Sequence, residues 1–188
     1  EGIRTARDGR AVVALADGTR IEMRERTELA LVARGRDTDI RLARGAIIVQ
    51  AAHQDAGHLF VTTDDCQVAV IGTIFSVDQG TKGARVSVLK GEVHVAGVGA
   101  TLARPEAVLH PGDQFASNAS VGRTPLATEV AWSQDRAQYE ALLAELVKLD
   151  ADFGKLPGPA PRHATRLLDM LPAETVVFPS PHNVSGTV

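Results

Sequence analysis

Six histidines, one cysteine and an adjacent pair of aspartates are the side chains of this sequence best suited to chemistry, and their spacing argues against it. His53-Gln-Asp55-Ala-Gly-His58 is a local cluster of metal-ligand types. It sits in an expected turn, spacing of that sort arises often by chance, and it reads as a solvated loop. His94, His110, His163 and His182 are scattered. A serine nucleophile would need a partnered histidine and an orienting acid, and the chain has no Gly-x-Ser-x-Gly elbow. Asp64 and Asp65 either alternate across a strand or share a turn, so they do not pair as acid and base. Cys66 alternates with Val68 and Val70, which makes it a buried, inert thiol, and the neighbouring aspartates disfavour its thiolate. Gly72-Thr73 and Gly91-Glu92 lack the Lys-Ser/Thr that a phosphate loop carries into a helix. These residues predict no catalytic site, no metal and no cofactor: a protein that is not an enzyme.

Charge and composition narrow the partners. The net charge is −3, and residues 1–123 balance 15 basic against 15 acidic side chains, which excludes a nucleic-acid binder. Arginines do cluster early (Arg20, Arg24, Arg26, Arg34, Arg36, Arg41, Arg44), but Glu22, Glu25, Glu28, Asp37 and Asp39 interleave with them. That pattern predicts a salt-bridged outer sheet face. Aromatic residues make only 4% of the chain, too few to support a ring-lined glycan-binding face. No apolar run is long enough for a membrane span. The charged start at Glu1 reads as a mature or trimmed product, with any anchor outside this stretch.

The elements that would hold these residues are strands. Gly9, Gly18, Gly45, Gly72, Gly91 and Gly112 each lead into a short apolar or β-branched run, the punctuation of an all-β module. The expected strands are 11–16, 20–24, 28–34, 38–43, 45–52, 57–62, 66–71, 73–79, 84–89, 91–96, 100–103, 107–109 and 114–116. In Ala84–Leu89, Val86 and Val88 face a core while Arg85 and Ser87 face outward. Lys90-Gly91 looks like a hairpin turn joining this strand to the next. Glycine steps of 9, 27, 27, 19 and 21 residues suggest a two-sheet sandwich or a short solenoid-like module.

The texture changes after Gly122. From about Ala127 the apolar residues take helical spacing, with Trp132, Tyr139, Leu142, Leu143, Leu146 and Leu149 on one stripe. This predicts a long amphipathic helix of about 25 residues. Leu156-Pro-Gly-Pro-Ala-Pro161 follows as a stiff linker, then a short helix over 164–170, then the strand-like run Thr175-Val176-Val177-Phe178 flanked by prolines. The expected divisions are therefore a β domain over 1–122, the helix over 123–155, and a Pro-rich, extended appendage over 156–188. Trp132, Tyr139, Leu142, Leu146 and Thr175–Phe178 are the candidate partner-binding residues.

The segments Leu15–Met23, Thr27–Leu29, Arg44–Val49, Leu59–Thr63, Val70–Val77, Arg85–Val93 and Leu109–Gln114 resemble the FecR domain in order and spacing over about residues 2–118. Val70-Ile-Gly-Thr-Ile-Phe-Ser-Val77 is the most specific part, with the glycine-centred Arg85–Val95 run. The resemblance implies an extracytoplasmic all-β module of the bacterial cell envelope. In the type case it is the outer half of an anti-sigma regulator that senses an occupied outer-membrane receptor. After residue 118 the small α/β receptor-contacting domain of the type case has no counterpart, and 167–177 is similar to tails of other exported proteins carrying this domain. Two functions follow as expectations. One is envelope signal transduction through a protein partner. The other is a self-assembling structural subunit, a ring or filament joined through its C-terminal segment.

Overall fold

A long strand that bends at one glycine organises the molecule. The computed structural model describes residues 2–53, 57–98 and 107–153. Its elements are β1 (Gly2–Arg4), β2 (Ala11–Ala14), β3 (Arg20–Met23), β4 (Glu28–Arg34), β5 (Asp37–Gln50), β6 (Leu59–Thr62), β7 (Cys66–Val70), β8 (Ile74–Gly80), β9 (Gly83–Lys90), β10 (Val93–Gly97), β11 (Ala107–Leu109), β12 (Gln114–Ala116), α1 (Leu126–Val130) and α2 (Arg136–Phe153). The chain divides into two compact units, Glu1–Ala151 and Asp152–Val188. All the described strands belong to the first.

The first half of β5 pairs with β4 and, in parallel, with β6, whereas its second half pairs with β3 and β8. The ladder runs β11-β10-β7-β6-β5-β8-β9-β12, with β4 and β1 branching from one half of β5 and β3 and β2 from the other. β11 and β12 are consecutive in the chain, so the folded sheet nearly closes on itself. The protein is mainly β. One layer is β1-β4-β5-β6-β7-β10-β11, and the other is β2-β3-β5-β8-β9-β12.

Alternation fills the space between the layers. Ile40, Val61, Val68 and Val95 are register partners across the first layer, and Ile21, Val49, Phe75 and Val88 across the second; all are fully buried. Val86 and Val88 face this core, as the alternation predicted. Ala46-Ile-Ile-Val49 is an uninterrupted apolar run because this half of β5 is covered on both faces: Ile47 and Val49 join the main core, and Ile48 a second cluster under the helices.

Three expectations are corrected. The long helix from Ala127 is instead two helices, because Ser133 Oγ accepts the Asp135 N–H (2.9 Å) and the Glu22 carboxylate accepts the Gln134 N–H (3.0 Å). These polar caps start α2 at Arg136 and leave α1 a short turn-like helix. The expected hairpin at Lys90-Gly91 is also absent. β9 pairs with β8 and β12 in one layer, and β10 with β7 and β11 in the other. Gly91, at φ +86°, is a corner where the chain passes between layers, and a Cβ there would lie 2.7 Å from Thr73 Cγ2. The expected 38–43 and 45–52 strands are one bent strand, and β1 had no expectation. The strand expected at 100–103, the Pro-rich linker, the short helix over 164–170 and Thr175–Phe178 lie outside the described residues.

Candidate partner-binding faces

The two outer faces of the sandwich differ sharply, and the difference begins in β3. Glu22 lies between Ile21 and Met23, so strand alternation sends its carboxylate away from the main core. It is nonetheless only 2% exposed, because the turn between α1 and α2 lies over it. Its oxygens accept hydrogen bonds from Ser133 Oγ (2.7 Å), the Gln134 N–H (3.0 Å) and Tyr139 Oη (3.1 Å). Gln50 Nε2 donates to Tyr139 Oη (2.7 Å) and to Asp135 Oδ2 (3.3 Å), and Arg20 pairs with the same Asp135 carboxylate. Glu129 of α1 repeats the arrangement at the other end, accepting from Ser76 Oγ (3.0 Å) and pairing with Arg85. Around these polar joints Ile48, Leu89, Val130 and Tyr139 are buried together, with Ile74, Trp132, Leu142 and Leu143 packed against them.

This arrangement locates the predicted site residues. Tyr139 is wholly buried against the chain's own sheet, Leu142 and Trp132 pack partly beside it, and Leu146 is half-buried. Beyond them Val147 is 70% and Leu149 55% exposed. Glu22 and Glu129 were not singled out from the sequence. A signal existed for Glu22, a carboxylate set between Ile21 and Met23, but it reads equally well as an outer-face salt-bridge partner. That reading holds for Glu28, which receives both Arg4 and Arg44. We expect Leu142→Asp to destabilise the isolated chain by about 2–4 kcal/mol in urea unfolding, since it places a carboxylate beside Ile48 and Leu89. An unchanged midpoint would mean that the stripe contributes nothing to docking.

Burial raises the Tyr139 phenol well above its ordinary value of 10.0; Gln50 opposes the rise, and the Glu22 and Asp135 carboxylates add to it. Burial also raises the Cys66 thiol from 9.0, against a lowering contact from Thr63 and with a small further rise from Asp65. Both groups hold their protons more tightly folded than unfolded. Their contribution to stability is therefore complete below pH 9.0 and erodes as the pH climbs past 9.0 for Cys66 and past 10.0 for Tyr139. Denaturation midpoints recorded from pH 8 to pH 11 should fall above about pH 9. Tyr139→Phe should flatten the upper part of that fall.

The other outer face carries no helix among the described residues. Val32, Asp39, Phe60, Ala69, His94 and Val108 are neighbours in one row across β4, β5, β6, β7, β10 and β11. Phe60, Ala69 and His94 are half-buried and Val108 is exposed, while Ile71 at the end of the adjoining strand is 50% exposed. Asp39 is buried between Thr62 Oγ1 (2.8 Å) and Arg41. Glu92 sits between His94 Nε2 (3.0 Å) and His110 Nε2 (3.5 Å). Among the described residues no group of three His, Cys, Asp or Glu side chains could hold a metal ion. Asp65 accepts from Gln79 Nε2 (2.9 Å) while Asp64 is exposed, so the aspartate pair shares no site. Asp55 of the His53–His58 cluster lies outside the described residues, as do His163 and His182.

The described residues form a two-layer β sandwich with α1 and α2 packed over one outer face. Comparison with known proteins then supplies the family. Residues 1–94, half of the chain, match the FecR protein family, and the chain belongs to it. The match ends earlier than the resemblance over 2–118 and covers β1 through β9. No curated protein matches. Two crystal structures of a Parabacteroides distasonis protein described as an anti-sigma factor, at 1.65 and 2.50 Å resolution, share the fold. Their TM-scores are 0.54 and 0.53 at 20% identity, over 61% of this chain and 53% of theirs. The chain thus spans about half the length of the solved proteins it matches. No helix among the described residues is long and apolar enough to cross a membrane.

Proposed function

We propose that this chain is a non-catalytic, extracytoplasmic module of a bacterial FecR-type regulator, acting in signal transduction through contact with a protein partner. The family match carries the reading. The fold supports it, since a sandwich with one face closed by helices keeps its other face for a partner. Phe60, Ala69, Val108 and Ile71 on that face offer apolar contact, and Glu92, His94 and His110 a polar rim. Val108→Glu together with Ile71→Glu should leave the melting temperature of the purified chain within a few degrees, because both side chains are solvent-exposed. In the full-length protein in its host, the same double change should abolish the transcriptional response the regulator governs. A normal response would overturn the assignment of this face.

A second reading is favoured by the apolar end of α2, where Val147 and Leu149 are left in water. Copies of the chain that cover this end, with Thr175–Phe178 adding to a sheet edge of a neighbour, would build a ring or filament. Light scattering across a concentration series separates the two. A regulator module stays monomeric. An assembling subunit gains mass with concentration and loses that behaviour when residues 156–188 are removed.

A further inference from the structure

We propose that the cavity walled by Asp8, Arg10, Arg24, Glu25 and Trp132 binds a saccharide. It measures about 340 Å³ and lies where three turns meet: β1–β2 supplies Asp8 and Arg10, β3–β4 supplies Arg24 and Glu25, and α1–α2 supplies Trp132. A second, smaller cavity of about 80 Å³ shares Arg24 and Trp132. The site lies apart from the sheet face that carries no helix among the described residues and does not depend on how that face meets a partner.

Hydrogen bonds tie the three turns together, and the Asp8, Arg10 and Arg24 side chains at the cavity are solvent-exposed. Asp8 has φ 65° and Arg26, next in sequence to Glu25, φ 55°, a left-handed conformation that side chains other than glycine adopt sparingly. The Asp8 N–H donates to Glu25 Oε2 (3.0 Å), the Arg26 N–H to the Ala6 carbonyl (3.2 Å), and Arg10 Nη1 to the Trp132 carbonyl (2.8 Å). These bonds tie the three turns together. By contrast the Asp8 carboxylate, the Arg24 guanidinium and the Trp132 indole N–H make no hydrogen bond or ion pair among the described residues. Trp132 is half-buried, packed against the helix-side cluster.

The chemistry of these groups selects the ligand class. Two carboxylates and two guanidinium groups cancel, so the site favours neither a phosphate nor a polyamine. Planar, two-pronged donors and acceptors match vicinal hydroxyls, each of which both donates and accepts. An indole supplies the apolar π surface against which the C–H face of a pyranose ring packs. A cavity with one aromatic residue in its wall and a few convergent hydrogen-bonding groups has the general form of a small-ligand site. The low aromatic content spoke against a broad stacking face, and this site needs a single ring.

Trp132 is the sole tryptophan, so its emission reports on this site alone. The intact chain should be titrated with a panel of neutral hexose and N-acetylhexosamine trisaccharides, with inorganic phosphate and a neutral tripeptide alongside. At least one trisaccharide should change the emission saturably, and phosphate and tripeptide should not. Arg24→Ala and Asp8→Asn, the latter keeping a residue tolerant of positive φ, should each weaken that binding about tenfold or more. Circular dichroism and melting curves matching the parent show that both variants fold. Saturation by phosphate or peptide but by no sugar, no saturation at all, or unchanged sugar affinity in both folded variants would overturn the proposal.

Discussion

Gly45→Ala should be among the most damaging single-methyl changes in this chain, lowering unfolding free energy by about 3 kcal/mol or more. Gly45 is where β5 leaves one layer for the other, at φ +91°. A Cβ built there lies 2.4 Å from Thr27 Oγ1 and 2.6 Å from Thr27 Cα. Thr27 has no room to retreat, because its hydroxyl accepts the Ala46 N–H and donates to the Ala46 carbonyl, both at 3.1 Å, beside the bulge where β4 shifts register at Glu28/Leu29. Left-handed backbone alone costs an alanine about 1–2 kcal/mol. The remainder comes from pushing two strands apart at the joint of the layers. Gly112→Ala is the internal control, having a similar φ of +94° with nothing within 4 Å of the added methyl. It should show the backbone cost only. If urea denaturation gives equal losses for the two variants, the close approach at Thr27 is not what makes Gly45 necessary.

The same glycine shows what was legible in advance and what was not. Strand alternation is a local property, so β4, β11 and β12 match their expected bounds, and Val86 and Val88 face the core. A glycine, however, marks a change of chain direction without naming its kind. Gly91 serves a corner between layers where a hairpin was expected, and Gly45 a bend within one continuous strand where a break was expected. Only the register, which depends on residues far apart in sequence, separates these cases. The site was harder still. Glu22, Ser133 and Tyr139 meet across more than a hundred residues, and nothing in the local pattern of β3 distinguishes a carboxylate destined for water from one destined for a helix turn. Trp132 and Tyr139 stood out as an apolar stripe. That Tyr139 carries its hydroxyl to Glu22 and Gln50, and that Trp132 borders a cavity with Arg24, depends on where the break between α1 and α2 falls.

Glu22→Ala should lower stability by about 2–4 kcal/mol and release α2 from the sheet before the sandwich itself unfolds. Among the described residues the carboxylate is the acceptor for both the Ser133 hydroxyl and the Gln134 N–H, and it receives the Tyr139 hydroxyl as well. Removing it strands the Ser133 and Tyr139 hydroxyls on buried side chains, and an unsatisfied buried donor costs more than the bond contributed. The apolar part of the joint is small, built around Ile48, Leu89, Val130 and Tyr139, so it does not compensate. Hydrogen exchange is the direct reading: amides over 139–146 should lose protection in Glu22→Ala while those of β7 and β8 keep theirs. A double-mutant cycle with Tyr139→Phe apportions the effect, and a coupling of about 1 kcal/mol or more assigns the Tyr139–Glu22 bond a share of its own. Full protection of α2 in Glu22→Ala would mean that apolar contact alone holds the helices, leaving the buried carboxylate without a docking role.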